Sequence, residues 1–516
     1  MMKGASTYSL FLLVLALAVK SSSQIAKRNN VLLFVLDDFR PAIGAFGDTK
    51  AITPNIDSLA KNGFMFTNVF AQQSLCAPSR NSFLTGRRPD TTKLYDFYSY
   101  WRQSAGNFTT IPQYFKQHGY LTQSIGKIFH PGISSNYSDD YPLSWSSVPF
   151  HPSTEEFMNK PTCIDMASGD VSKNLLCPVV LKLQPDETLP DIQSTWEAKM
   201  FLTEHQNSTT PFFLAVGYHK PHIPFKFPAK FLDLHDIQKF EAQDLDYPPH
   251  GLPLVAWSSY LDIRSRDDMK ALNISYPFGP IREGVRLKIR QHYYASVTYV
   301  DDLIGQLLKD VNFDNTIILL TSDHGWSLGE HAEWSKYSNY DVALNVPLIV
   351  YSPDMLPKVN KKIDKVVELL DLFPTMVDLA GLPPIEKCTT DVETATCVEG
   401  KSLLPYILDN PTDGLVEEAF SQYPRPEAYP TFYPNSDKPK LYQIKIMGYS
   451  IRNRRFRYTA WVGFDPVTFG RDWTKIYGEE LYDHSIDPQE NINLTDRPQM
   501  QETKNWLLSR LKKQFV

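Results

Sequence analysis

The chain is 516 residues long, 42% apolar and 21% charged, with a formal net charge of −6. That length exceeds one minimal core and leaves room for a large domain with a smaller one beside it. The ordinary composition and slightly negative charge exclude a protein built to hold nucleic acid or an anionic membrane surface, so any anionic ligand must be caught by a local group of cations.

The first element is a leader. Lys3 precedes ten apolar residues, Leu10 to Val19, and then Ser21, Ser22 and Ser23. The run is too short to span a bilayer and reads as a cleaved signal peptide over residues 1–23. No later segment approaches the ~20 apolar residues that a spanning helix needs, so no membrane span is expected. Sequons at Asn107, Asn136, Asn207, Asn273 and Asn493 support passage through the secretory route.

From about residue 30 to 410 strand and helix patterns alternate, which predicts an α/β fold around a mostly parallel sheet. Four continuous apolar runs read as buried strands: Val31 to Leu36, Tyr120 to Ile125, Phe212 to Val216 and Thr316 to Leu320. The first ends in Asp37-Asp38. The second runs into Gly126-Lys127 and His130, the third into His219, Lys220 and His222, and the fourth into Ser322-Asp323-His324-Gly325. Open α/β sheets bind ligands at the carboxyl ends of their strands, so these endings converge on one polar site.

Five cysteines occur. Cys163 with Cys177, and Cys388 with Cys397, are close enough in sequence for two local disulfides, which leaves Cys76 odd. Farther on, residues 421–440 hold five prolines and read as an exposed linker or long loop. Gln443–Tyr449 and Tyr458–Val462 read as strands and Gln501–Phe515 as a closing amphipathic helix. The expected organisation is a large catalytic domain over 24–430 and a small α+β subdomain over 431–516.

Asp37, Asp38 and Asp323 are three carboxylates that repel one another unless a cation neutralises them. Oxygen donors favour Ca²⁺ or Mg²⁺. His324 adds an imidazole, which also suits zinc. Cys76 opens Cys76-Ala77-Pro78-Ser79-Arg80, followed by Leu84-Thr85-Gly86. Pro78 fits the first turn of a helix, which places Cys76 at an anion-favouring helix N-terminus. Arg80 offers a guanidinium fork to the same oxygens.

The pattern C-x-P-S-R-x-x-x-L-T-G resembles the signature of the sulfatase family. The resemblance implies an alkaline-phosphatase-like fold and oxidation of Cys76 to formylglycine by a formylglycine-generating enzyme. It implies one Ca²⁺ on Asp37, Asp38, Asp323, His324 and the modified Cys76; many sulfatases carry asparagine where this chain has His324. It also assigns Lys127 and Lys336 to sulfate oxygens, His130 as base, His222 to the leaving oxygen and Asp323 to activating the attacking hydroxyl. His219 competes with His222 on spacing alone. Stretches such as Gly126–Gly132, Gly217–Pro224 and Ile444–Arg452 resemble the branch that removes the 2-O-sulfate of terminal iduronate in heparan and dermatan sulfate, in the lysosome. Arg452, Arg454, Arg455 and Arg457 are candidates for the uronate carboxylate, against a solvated strand face. The alternatives are another sulfatase, a phosphate-ester or phosphonate hydrolase of the same superfold, or a glycan-binding protein without activity.

Overall fold

The computed structural model describes residues 28–240, 248–355, 360–389, 394–410, 417–433 and 436–515. The signal-peptide segment 1–23 lies outside the described residues. A seven-stranded sheet forms the centre. In chain order its strands are β1 (Asn30–Asp37), β2 (Phe64–Phe70), β3 (Leu121–Gly126), β4 (Phe212–Pro221), β5 (Thr316–Ser322), β6 (Asn345–Tyr351) and β7 (Lys361–Glu368). Their spatial order is β7-β2-β6-β5-β1-β4-β3. Only β6 runs antiparallel to its neighbours, so the sheet is mostly parallel, as expected.

The four strands read from apolar runs are β1, β3, β4 and β5. They are continuous rather than alternating because both faces of the sheet are covered. Leu32, Phe34 and Leu36 of β1 pack with α3 (Glu283–Leu308) through Ile289, Tyr293 and Val300. Val31, Leu33 and Val35 pack on the opposite face with Phe83 and Leu84 of α1 (Cys76–Thr85) and Phe373 of a short helix, Leu372–Leu379. Each such side chain taken from water stabilises the fold by about 1.5–3 kcal/mol. The remaining helix used below, α2 (Pro190–His205), lies between α1 and α3 in sequence and also packs on the α3 side.

A second sheet has four antiparallel strands in the order β8 (Glu418–Arg425), β9 (Ile446–Asn453), β10 (Phe456–Phe464) and β11 (Arg471–Asp483). A closing helix, α4 (Gln501–Gln514), covers it with Leu507 and Leu511 against Met447, Tyr449 and Ile451. The linker expected over 421–440 is corrected in its first five residues, which are strand. Pro424 is tolerated there because β8 is an edge strand. Arg425 then anchors this sheet: its guanidinium donates to the carbonyls of Val255 (3.0 Å), Ala256 (3.0 Å) and Tyr337 (2.7 Å). Both expected disulfides, Cys163–Cys177 and Cys388–Cys397, are present, and Cys76 is a buried free cysteine. Among the described residues no helix is long and apolar enough to cross a membrane.

Candidate active site

The carboxyl ends of β1, β3, β4 and β5 meet the N-terminus of α1. Consecutive strand residues normally face opposite sides of a sheet. Asp38 escapes this with a left-handed φ of 62°, a region that aspartate tolerates better than most residues. Asp37 and Asp38 therefore turn toward one point. Ligand atoms of Asp37, Asp38, Cys76 and His324 all lie within 4.8 Å of one another, and all four residues are buried. Ser322 locks the junction: its hydroxyl donates to the Leu36 carbonyl (3.0 Å) and accepts from the Phe39 amide (3.0 Å). Asp323 Oδ1 accepts from the amides of Asp38 (3.2 Å) and His324 (2.9 Å).

Cys76 is the first residue of α1, as the proline position implies. Its sulfur lies 3.0 Å from Lys336 Nζ and 3.4 Å from His324 Nε2. Burial and the Asp37 charge push the Cys76 thiol up, against Lys127 and Lys336. An unmodified thiol is thus held protonated and is a poor nucleophile. Lys336 also pairs with Asp38 Oδ1 (2.6 Å), and Lys127 pairs with Asp37 Oδ2. Lys127 is delivered by a close crossing of β3 and β4. A Cβ on Gly217 would come within 2.1 Å of the Lys127 carbonyl oxygen, so only glycine fits.

Arg80 is fully buried behind the carboxylates rather than open to the cleft. Its guanidinium spans Asp323 Oδ2 (2.9 Å) and Asp37 Oδ1 (3.3 Å) and also donates to the carbonyls of Lys127 and Ile128. The fork expected to meet substrate oxygens is thus spent on the protein's own acids.

The structure separates the two histidines that spacing could not. His222 Nε2 faces Asp38 Oδ2 at 3.8 Å. His219 turns away, between Asp191 (3.2 Å) and Glu155 (3.4 Å). His130 packs against Phe97 with the rings tilted by 46° at 4.6 Å between centroids, and sets Nδ1 2.9 Å from the Pro131 carbonyl. With Nδ1–H donating there, Nε2 is left as an acceptor, the tautomer a base requires. His222 makes the same kind of bond to the Ile223 carbonyl at 2.6 Å. Burial holds both imidazoles well below the usual histidine range, with Lys127 adding to the effect on His130.

The carboxylates have the donor set for a cation. Burial lifts Asp38 above the usual carboxylate range despite Lys336, with Asp37 adding to the rise. Among the described residues Asp38 Oδ2 has no hydrogen-bond partner, though it is buried. An orphaned buried carboxylate oxygen beside three further donors is what a bound cation would satisfy. Asp37, in contrast, is held low because Lys127, His222 and Arg80 together outweigh its burial.

The arginine cluster of the second sheet does not reach this site. Arg452 pairs with Asp341, Arg454 with Asp364, Arg455 with Asp483, and Arg457 with Glu490. Sequence reading missed Asp191, whose carboxylate accepts from the His219 (2.7 Å) and Lys220 (3.0 Å) amides and fixes the turn that aims His222.

A nucleophile position at a helix N-terminus, ringed by acids, lysines and histidines at the strand ends, defines a hydrolase of the alkaline-phosphatase-like class. The chain belongs to the sulfatase family: that family's profile matches residues 29–382. A second profile, described as "N-sulphoglucosamine sulphohydrolase, C-terminal", matches residues 329–516. The chain is 49% identical to iduronate 2-sulfatase of Homo sapiens across 90% of each chain, and 47% identical to that of Mus musculus across 95% of each. A solved phosphonate monoester hydrolase from Silicibacter pomeroyi superposes with a TM-score of 0.70 at 20% identity, covering 94% of this chain and 95% of that one, which speaks for the fold alone. The protein is a sulfuric ester hydrolase, and enzymes of this family generally use a formylglycine and a divalent metal.

The His219 surroundings carry a stability prediction. Pairing with Asp139 (3.2 Å) and Glu155 (3.4 Å) raises His151 to about 10, and Asp191 and Glu155 raise His219 to about 9 against its burial. Glu155 is held low by the two histidines despite its burial. Raised histidines contribute fully below their ordinary value of 6.5 and lose that contribution as pH climbs through 9 to 10. The lowered Glu155 contributes above its ordinary 4.5. Glu155→Gln is therefore expected to lower the thermal midpoint most at about pH 5.5, with the gap to wild type closing toward about pH 10. A gap independent of pH in calorimetric scans contradicts the charge network.

Proposed function

We propose that the protein is a lysosomal exo-sulfatase that hydrolyses the 2-O-sulfate ester of terminal iduronate in heparan sulfate and dermatan sulfate. The observation carrying this is the buried odd Cys76 at a helix N-terminus beside Asp37, Asp38, His324 and Lys336. Near-full-length identity to two iduronate 2-sulfatases supports the substrate. A phosphonate or phosphate ester hydrolase of the same fold remains the second reading, favoured only by the fold likeness.

Cys76 is read as the formylglycine precursor, converted during synthesis by a formylglycine-generating enzyme. Once formed, that aldehyde would add one water to give two hydroxyls on one carbon, one to attack sulfur and one to help release sulfate. Asp37, Asp38, Asp323 and His324 would hold one Ca²⁺, which supplies Lewis acidity toward a sulfate oxygen when bound. Lys127 and Lys336 hold sulfate oxygens. Asp323 helps activate the attacking hydroxyl, and Arg80 keeps Asp323 and Asp37 in position. His130 accepts a proton at Nε2. His222 protonates the leaving oxygen, taking up its proton when the anionic ester adds its charge to that of Asp37.

The secretory leader, the sequons and two disulfides support routing to an oxidising compartment and on to the lysosome. Four of the sequon asparagines, Asn107, Asn136, Asn207 and Asn273, are exposed. The proposed division is a catalytic part, 24–430, and a C-terminal part, 431–516, with β8 of the first part pairing into the sheet of the second.

Release of inorganic sulfate from a 2-O-sulfated iduronide, with none of phosphate from the matching phosphate ester, tests the activity. Mass spectrometry of the Cys76 peptide tests the conversion; an unmodified thiol in active enzyme contradicts it. The cation has its own readout. Calcium at ~100 times its dissociation constant is expected to stabilise chelator-treated protein by about 2.7 kcal/mol. Asp38→Asn is expected to abolish that shift in thermal midpoint, and a shift that persists in Asp38→Asn places the ion elsewhere.

A further inference from the structure

Beside the proposed site lies a cleft of about 690 Å³ walled by Tyr337, the residue after Lys336. Its two carboxylates are already spent. Asp262 accepts from Tyr337 Oη (2.8 Å) and Ser335 Oγ (3.0 Å). Asp437 accepts from the amides of Ser259 (3.1 Å) and Leu261 (2.8 Å). Of its cations, Arg264 is spent on the carbonyls of Ser259, Ile274 and Pro277, and the rest are not. Lys173 and Lys438 line it with no ion pair among the described residues, and Lys270 holds only an exposed 3.7 Å pair with Asp267.

Arg266 is the sharpest case. It is 9% exposed, yet among the described residues its guanidinium has one hydrogen bond, to Asn159 Oδ1 at 3.3 Å, and its Nε is buried with no partner. Arg80 and Arg457, buried more deeply, sit on carboxylates, and the guanidinium of Arg425 is filled by three carbonyls. Asp262, Asp268 and Asp267 offset its burial only in part, and none of them pairs with it among the described residues, so a ligand that supplies a paired oxyanion would stabilise it. The fork geometry matches a planar carboxylate or two sulfate oxygens.

We propose that Arg266, with Lys173 and Lys438 around it, forms a subsite for a second oxyanion of the glycan, beyond the scissile ester. This rests on the glycan-sulfatase reading above and deepens it. The oxyanion is a carboxylate or a sulfate. Its source is either the iduronate's own carboxylate or the sulfate of the adjoining sugar. Arg266 would then select for chain context, while Cys76 and its neighbours perform the hydrolysis.

Two substrates separate the sources: a 2-O-sulfated iduronide of a neutral aryl alcohol, and a disaccharide in which that sugar is joined to N-sulfated glucosamine. Arg266→Gln is expected to raise KM by about 10–100-fold with kcat little changed. A penalty on both substrates assigns the iduronate carboxylate; a penalty on the disaccharide alone assigns the neighbouring sulfate. Arg266→Lys should recover part of the loss, and the thermal midpoint should not fall, since an unpaired buried cation is being removed. Calorimetric binding of the disaccharide to both proteins gives a readout independent of turnover. If wild type cleaves both substrates while Arg266→Gln leaves KM and affinity unchanged, or lowers only kcat, the subsite is overturned and the activity stands. If wild type cleaves neither but Arg266→Gln still weakens binding, the activity reading fails and the subsite stands.

Discussion

Cys76→Ser is expected to reduce sustained sulfate release by roughly 10³-fold or more, the scale on which enzymes lose a covalent nucleophile. Serine at this position presents one hydroxyl. Lys336 Nζ, 3.0 Å from the present sulfur, and His324 Nε2, 3.4 Å away, would orient it toward a bound ester. It can attack sulfur once, release the alcohol and then carry the sulfate itself. Completing the cycle needs a second hydroxyl on the same carbon to drive sulfate out, and serine has none. A rapid-mixing measurement should therefore find no more than one equivalent of alcohol released per enzyme, followed by silence, with a sulfated serine in the digest. Continued turnover by the serine variant would falsify the two-hydroxyl argument while leaving the fold and the cation site intact.

Most residues at this centre were legible because they follow an apolar run or stand in a dense motif; Lys336 does neither and came only from the family resemblance. A strand buried on both faces writes itself as a continuous run, so its end can be read to within a residue: Asp37 closes β1 and Asp323 follows β5. The three strands that sequence reading did not pick out lack that signature for separable reasons. β2 carries Thr67 and Asn68, half-exposed, inside its apolar run. β6 contains Pro347, which cannot donate to the ladder, and its register with β2 shifts between Val346 and Leu348. β7 is an edge strand and exposes charged residues along its first half. The C-terminal sheet was only half legible for the same cause, since its edge strand β8 sits inside a proline-rich stretch.

Other parts of the site were not in the local sequence at all. The choice between His219 and His222 is made by Asp191 and Glu155, from two other places in the chain. Arg266 looks like any of 52 cations until its burial without a carboxylate is seen. Conversely, four arginines between Arg452 and Arg457 looked like an anion-binding group and are each matched to an acid. Pairing is a property of the fold, and net charge per segment does not report it.

Arg80→Ala is expected to cost about 3–5 kcal/mol of stability as well as activity, because it breaks a buried charge network from its centre. Asp37 and Asp323 are buried, and Arg80 is the group that touches both, at 3.3 and 2.9 Å. Without it Asp323 Oδ2 loses its ion-pair partner in a region water does not enter, and the carbonyls of Lys127 and Ile128 lose donors. Uncompensated groups of this kind are expensive to leave. Arg80→Lys keeps a charge but gives up the fork, so one carboxylate is served and not the other; its midpoint should fall between the two. His130→Ala provides the contrast. It should slow turnover by about 10²–10⁴-fold with a midpoint near wild type, since its ring meets Phe97 and one carbonyl only. Thermal unfolding of the three variants at one calcium concentration separates the roles. An Arg80→Ala protein that melts with wild type, yet is inactive, would return the guanidinium to the substrate oxygens and remove it from the scaffold.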